Sequence, residues 1–98
     1  MQKWLTLVVC LLVSAYAGAH TVTLHWTQSG SDDVVSNKLY CGHQSGGPYP
    51  YHRTSKHPVT GFTKLNAPSG TYYCVVTAIN SWGEESKASN EVRFIVPN

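Results

Sequence analysis

The chain has 98 residues, which supports one domain at most. Seven basic residues stand against five acidic ones, and no cluster of Lys or Arg builds the basic face that a nucleic-acid partner requires. No internal repeat, low-complexity tract or linker divides the sequence.

Residues 1–19 differ from the rest. Lys3 gives a short positive start, and Trp4 to Val13 is apolar apart from Thr6. Ser14-Ala15-Tyr16-Ala17-Gly18-Ala19 then supplies the small-x-small pattern of a secretory cleavage site. The apolar run is too short to span a bilayer in the usual way. Cys10 follows Val9, where a lipoprotein signal wants a small residue. Residues 1–19 are therefore expected to be a signal peptide and residues 20–98 the mature domain, with cleavage after Ala17 as the alternative. The mature chain would begin at His20 and lie outside the cytoplasm, extracellular or periplasmic, with no membrane span left.

The rest of the chain carries short alternating runs separated by Gly, Pro, Ser and Asn, the pattern of an all-β sandwich. Thr21 to Trp26 alternates with Val22, Leu24 and Trp26 on one face. Gln28 to Asp33 is a polar loop. Val35 to Cys41 is a second strand, with Leu39 and Cys41 facing one way and Lys38 and Tyr40 the other. Ser45-Gly46-Gly47-Pro48 is a turn. Tyr49 to Pro58 is ambiguous, because its prolines disfavour a central strand. Val59 to Leu65 is a short strand, and Ala67 to Gly70 a turn. Thr71 to Ile79 is the best strand, with Tyr72, Cys74, Val76 and Ala78 opposed to Tyr73, Val75, Thr77 and Ile79. A loop from Asn80 to Ser86 leads to a last strand, Glu91 to Val96.

A domain this small buries only about 60% of its unfolded surface, so export favours a covalent staple. With Cys10 removed, Cys41 and Cys74 remain as a single pair, and a bond between them is expected. In the chain-entropy model a loop of this length is stabilised by about 3 to 4 kcal/mol. The alternative is two buried free thiols packed as small hydrophobes.

Taken in order, these runs resemble a fibronectin type III domain. Leu24-His25-Trp26 resembles the second strand, whose tryptophan anchors the core. Lys38-Leu39-Tyr40 with Ser45-Gly46-Gly47-Pro48-Tyr49 resembles the third strand and its turn. Gly70 to Asn80 resembles the sixth strand, with Tyr72 in the place of the corner tyrosine whose hydroxyl bonds to upstream backbone. Gly83-Glu84-Glu85-Ser86 and Ser89-Asn90-Glu91-Val92 resemble the last loop and strand. The resemblance spans Val22 to Pro97 and implies an immunoglobulin-like β-sandwich.

Three departures from that pattern matter. Only six residues separate the expected cleavage site from Trp26, so the first (A) strand is expected to be missing. The Val22–Trp26 strand would then be an open edge for strand addition by a partner or a second copy. Cys41 and Cys74 are not family features, but the resemblance puts them on the inward phase of neighbouring strands. Leu65 lies one residue further from Tyr72 than in the family, which bears on the geometry of the tyrosine corner.

The fold does not specify function. No nucleophile elbow or other catalytic motif holds the Ser, His and Asp residues, and a small sandwich has little room for a deep pocket, so no enzyme activity and no cofactor are expected. The expected role is non-catalytic protein–protein association or surface assembly. One candidate surface is a loop end bearing Asp32, Asp33, Trp82 and Glu84, because an exposed Trp is a typical anchor. The competing reading has Trp82 folded over its own sandwich as a lid. The other surface is the outer sheet face bearing Tyr40, Tyr73, Val75 and Ile95, and Tyr49 and Tyr51 could extend either surface. Carbohydrate binding through Trp82 and the tyrosines is the first alternative. Copper binding through an N-terminal His20 is the second, with further ligands needed from His43, His52 or His57 because His25 is too far along an extended strand.

Overall fold

The computed structural model describes residues 11–18, 20–27, 34–56, 61–64 and 67–97. Seven strands form among them: β1 (Leu11–Gly18), β2 (Thr21–Thr27), β3 (Val34–Gly42), β4 (Tyr51–Lys56), β5 (Gly61–Lys64), β6 (Gly70–Asn80) and β7 (Val92–Val96). They build two antiparallel sheets, one of three strands in the order β1-β2-β5 and one of four in the order β4-β3-β6-β7.

The inward phases set out by the alternation meet between the sheets. Val22, Leu24 and Trp26 come from β2, Leu39 from β3, Tyr72, Cys74, Val76 and Ala78 from β6, and Phe94 and Val96 from β7. Directly opposed pairs keep these residues on one face: Leu39 with Val76, Cys41 with Cys74, and Tyr72 with Phe94. The rings of Tyr72 and Phe94 stack with centroids 5.4 Å apart. Asn37 is fully buried on this face and donates from Nδ2 to the Thr77 carbonyl at 3.0 Å.

The expected disulfide is present. Cys41 and Cys74 are bonded at 2.04 Å with their Cα atoms 4.2 Å apart, because they face each other directly across β3 and β6. The corner tyrosine is also in place. The Tyr72 hydroxyl donates to the Pro68 carbonyl at 2.7 Å, so the longer turn leaves the tie intact.

The expectation of a missing A strand does not hold while residues 11–18 are present. Leu11–Gly18 runs antiparallel to β2 from Leu11 opposite Thr27 to Gly18 opposite Thr21, and fills the edge. The physical reason is that a short uncharged run containing Val13 and Tyr16 satisfies strand pairing as readily as it satisfies an export leader. The ambiguous Tyr49–Pro58 region resolves into β4, an edge strand that begins just after Pro50, while Pro58 lies outside the described residues.

Candidate functional site

The best-defined exposed feature is the turn between β6 and β7, and Asn80 builds it. This side chain is buried, and its Oδ1 accepts the backbone N–H groups of Trp82 and Glu84, both at 2.9 Å. Its Nδ2 donates to Glu84 Oε1 at 2.8 Å. The Asn80 N–H donates to the Glu84 carbonyl and the Gly83 N–H to the Asn80 carbonyl, each at 3.0 Å. Gly83 sits at φ +85°, a conformation that glycine adopts without the penalty a Cβ brings. On this braced turn Trp82 is 73% exposed. It is displayed and does not fold back as a lid. Glu84 is exposed, but its carboxylate is the brace that Asn80 grips. Asp32 and Asp33, named with them as a loop-end site, lie outside the described residues.

Beyond the turn, residues 84–90 flank β6 without forming a regular strand. The Ser86 and Ser89 N–H groups donate to the Ala78 and Val76 carbonyls, each at 2.8 Å. In return the Ala78 and Val76 N–H groups donate to the hydroxyls of Ser86 and Ser89, each at 2.9 Å. Two serine hydroxyls therefore stand where a partner strand would offer carbonyls, which satisfies the β6 backbone.

That path carries Glu85 onto the outer face of the four-stranded sheet. Its carboxylate accepts the hydroxyls of Tyr40 and Thr77, the latter at 2.7 Å. Burial pushes Glu85 up, but the hydrogen bonds from Tyr40 and Thr77 and the charge of Lys38 outweigh it and hold the carboxyl below its usual value. Tyr40 is pushed up to about 12 by burial, then by its bond to Glu85 and by the Glu85 charge. Lys38 Nζ lies 5.2 Å from the centre of the Tyr40 ring.

This bracing changes the outer-face candidate. Val75 points outward as the alternation requires, but it is only 6% exposed, because Tyr40 lies directly opposite on β3. It offers no surface to a partner. Tyr40 and Tyr73 are half-buried, and Ile95 is 51% exposed on β7. A continuous tyrosine row is thus reduced to Ile95 with the rims of two rings. Tyr49 is also a brace: its hydroxyl, the Ser45 hydroxyl and the Gly46 N–H all donate to Glu91, the latter two at 2.8 Å. Tyr49 is raised to about 12 by burial and then by Glu91, and Glu91 is lowered chiefly by the Tyr49 hydroxyl.

The alternation in β4 conceals one further feature. Tyr51 and Arg53 lie opposite Cys41 and Leu39, on the inward phase, yet both are exposed. They edge a cleft of about 630 Å³ on the flank of the sandwich, with His43, Ala67 and Tyr72 in its wall. His43 packs edge-on against Tyr51 and donates from Nδ1 to the Thr71 carbonyl at 2.8 Å. Proline-flanked β4 was the only signal in the sequence that this edge is loosely covered.

His20 is exposed at the start of β2. Its Nδ1 donates to the Ala67 carbonyl at 3.1 Å, so the ring nitrogen nearest its own backbone is engaged. Among the described residues no group of three His, Cys, Asp or Glu side chains is placed to hold a metal ion. Among the same residues no helix is long and apolar enough to cross a membrane.

The architecture superposes on an Fn3-like protein from Clostridium thermocellum with a TM-score of 0.70 at 26% identity, covering 93% of this chain and 94% of that one. The fold is of the fibronectin type III kind. A fibronectin type III domain of human fibronectin type III domain containing protein 3 aligns over 100% of this chain and 92% of its own, with a TM-score of 0.65 and 23% identity. A β-1,2-glucanase from Parabacteroides distasonis matches 95% of the chain with a TM-score of 0.81 and 18% identity, but the chain spans only 13% of that enzyme. These likenesses establish the fold and nothing about activity. No family model matches the chain, and no curated protein sequence matches it.

Proposed function

We propose that the chain is a non-catalytic recognition module that works outside the cytoplasm, and that Trp82 is its anchor for a protein partner. The carrying observation is a Trp exposed at 73% on a turn held by the buried Asn80. A large aromatic costs a protein solubility when displayed, and an anchor that is already rigid loses little entropy on binding. The leader-like segment and the Cys41–Cys74 bond support an oxidising compartment. The test compares the extracellular proteins retained by the immobilised chain with those retained by a Trp82→Ala variant. Loss of specific partners with no change in stability supports the reading, and identical retention overturns it.

A second reading, carbohydrate binding, draws on the fold match within a β-1,2-glucanase and on the exposed rings of Trp82 and Tyr51. Trp26 is buried, so surface quenching reports on Trp82 among the described tryptophans. Soluble β-1,2-glucan that quenches this emission at saturable concentrations would favour the sugar reading, and indifference to it favours the protein partner.

A further inference from the structure

Strand β1 comes from the segment that reads as an export leader, and it fills the one edge that export would open. Seven residue pairs join it to β2, and the expected cut after Ala19 falls between the two strands. Strand β2 does not need β1 to stay in place. Val22, Leu24 and Trp26 are buried in the core. On its other side β2 pairs with β5, from Val22 opposite Lys64 to His25 opposite Gly61. At its start the His20 carbonyl accepts the Ala67 N–H at 2.8 Å, and its ring donates back to the Ala67 carbonyl. A cut after Ala19 leaves all these ties; it uncovers the backbone of the β2 edge and the side of β7 against which β1 also lies. That edge, Thr21–Thr27, contains no Lys, Arg, Asp, Glu or Pro, the residues that usually protect an edge strand from pairing.

We propose that the β2 edge is a strand-acceptor surface, covered by Leu11–Gly18 in the uncut chain and taken by β2 of a second copy once the leader is removed. This deepens the recognition reading above and rests on the export it assumes. The second copy fits because β2 is complementary to itself. An antiparallel pairing about a two-fold axis through Leu24 sets Val22 opposite the partner's Trp26 on the core-facing phase. On the outer phase it sets Thr21 opposite the partner's Thr27 and Thr23 opposite the partner's His25. In the uncut chain the same two positions of β2 are paired by Ala17, opposite Val22, and Leu12, opposite Trp26. No fixed like charges meet, and the two β2-β5 sheets left after the cut merge into one continuous four-stranded sheet with closed, isologous symmetry.

The test is to pass the full chain through a secretory pathway and to measure the intact mass and sedimentation equilibrium of the product. The expected product begins at His20 and is a dimer, while uncut chain is a monomer. A T23K/H25K variant places Lys opposite Lys twice across the two-fold axis and is expected to weaken the dimer by about tenfold. A synthetic peptide with the Leu11–Gly18 sequence is expected to split the dimer into one-to-one complexes. A monomer beginning at His20 overturns the proposal, as does an exported product that keeps residues 11–18 or a dimer unmoved by the lysines. If the double variant fails to fold, a dimer indifferent to the peptide overturns it instead. Trp82 is remote from this edge in sequence and in strand order, so a Trp82→Ala variant that keeps every partner while the dimer persists overturns only the anchor reading.

Discussion

The two sheets of this sandwich are secured in different ways. The four-stranded sheet is cross-linked by Cys41–Cys74 and braced on its outer face by Glu85 on Tyr40 and Thr77. Glu91 pins the Ser45–Pro48 turn through Tyr49 and Ser45. The three-stranded sheet ends in a four-residue β5 on one side and in β1 on the other. Its hold on the fold is the apolar phase of β2. The contrast teaches that a small domain can concentrate its cross-links and braces in one layer and hold the other by the apolar phase of a single strand.

The sharpest way to break the contrast is to remove the staple. A Cys41→Ala/Cys74→Ala chain is expected to lose about 3 to 4 kcal/mol, read as a lower urea midpoint, since the closed loop spans 33 residues of separation. A loss near zero would place the stability elsewhere. Next comes the buried amide. Asn37→Ala removes a fully buried amide together with its hydrogen bond to the Thr77 carbonyl, leaves a cavity, and is expected to cost about 1 to 3 kcal/mol in the same measurement. Tyr72→Phe deletes only the hydroxyl that reaches Pro68 and should cost about 1 kcal/mol, with the ring stack on Phe94 retained.

The braces make the same sheet pH-sensitive at both extremes. Glu85 has its folded value lowered, so its contribution is present above the ordinary carboxylate value of 4.5 and is lost as pH falls through the lower folded one. Glu85→Gln should flatten that acid limb of stability. Tyr40 and Tyr49 are raised from 10.0 to about 12, so their contribution is intact below 10 and disappears as pH rises towards 12. Ultraviolet titration should show Tyr40, Tyr49 and Tyr72 ionising late, since burial raises Tyr72 as well. The smallest expected effect is that of Trp82→Ala, whose stability should stay within about 0.5 kcal/mol of the parent, because the Asn80 network holds the backbone and not the ring.

The core was legible in advance because alternation is a local property. Val22, Leu24 and Trp26, and Tyr72 to Ala78, point inward simply from their spacing. Tyr72 and the two cysteines followed from the same phase. Exposure was not legible to the same degree. Val75 reads as an outward residue and is one, but the central position of β6 and the Tyr40 opposite it remove it from solvent. Tyr51 reads as half of a tyrosine patch, yet it stands on the inward phase of an edge strand and edges a cleft. Trp82 could be read either way until the Asn80 hydrogen bonds fixed the turn beneath it.

Sequence by itself determined which residues face the core, which two cysteines meet and that the architecture is a fibronectin type III-like sandwich. The facing follows from period-two patterning, which each segment carries within itself; the cysteine pair follows from the leader-like segment that contains Cys10, and the sandwich from the resemblance of the motifs taken in order. Only the tertiary structure decided that Glu85 and Glu91 are braces, that Trp82 is displayed and that Leu11–Gly18 can serve as a strand. Glu85 and Glu91 find Tyr40 and Tyr49 far away in the chain, Leu11–Gly18 needs β2 beside it, and the Trp82 turn needs the neighbouring Asn80 to be buried by the fold; a backbone edge or a carboxylate has no preference of its own until folding brings its partner within reach.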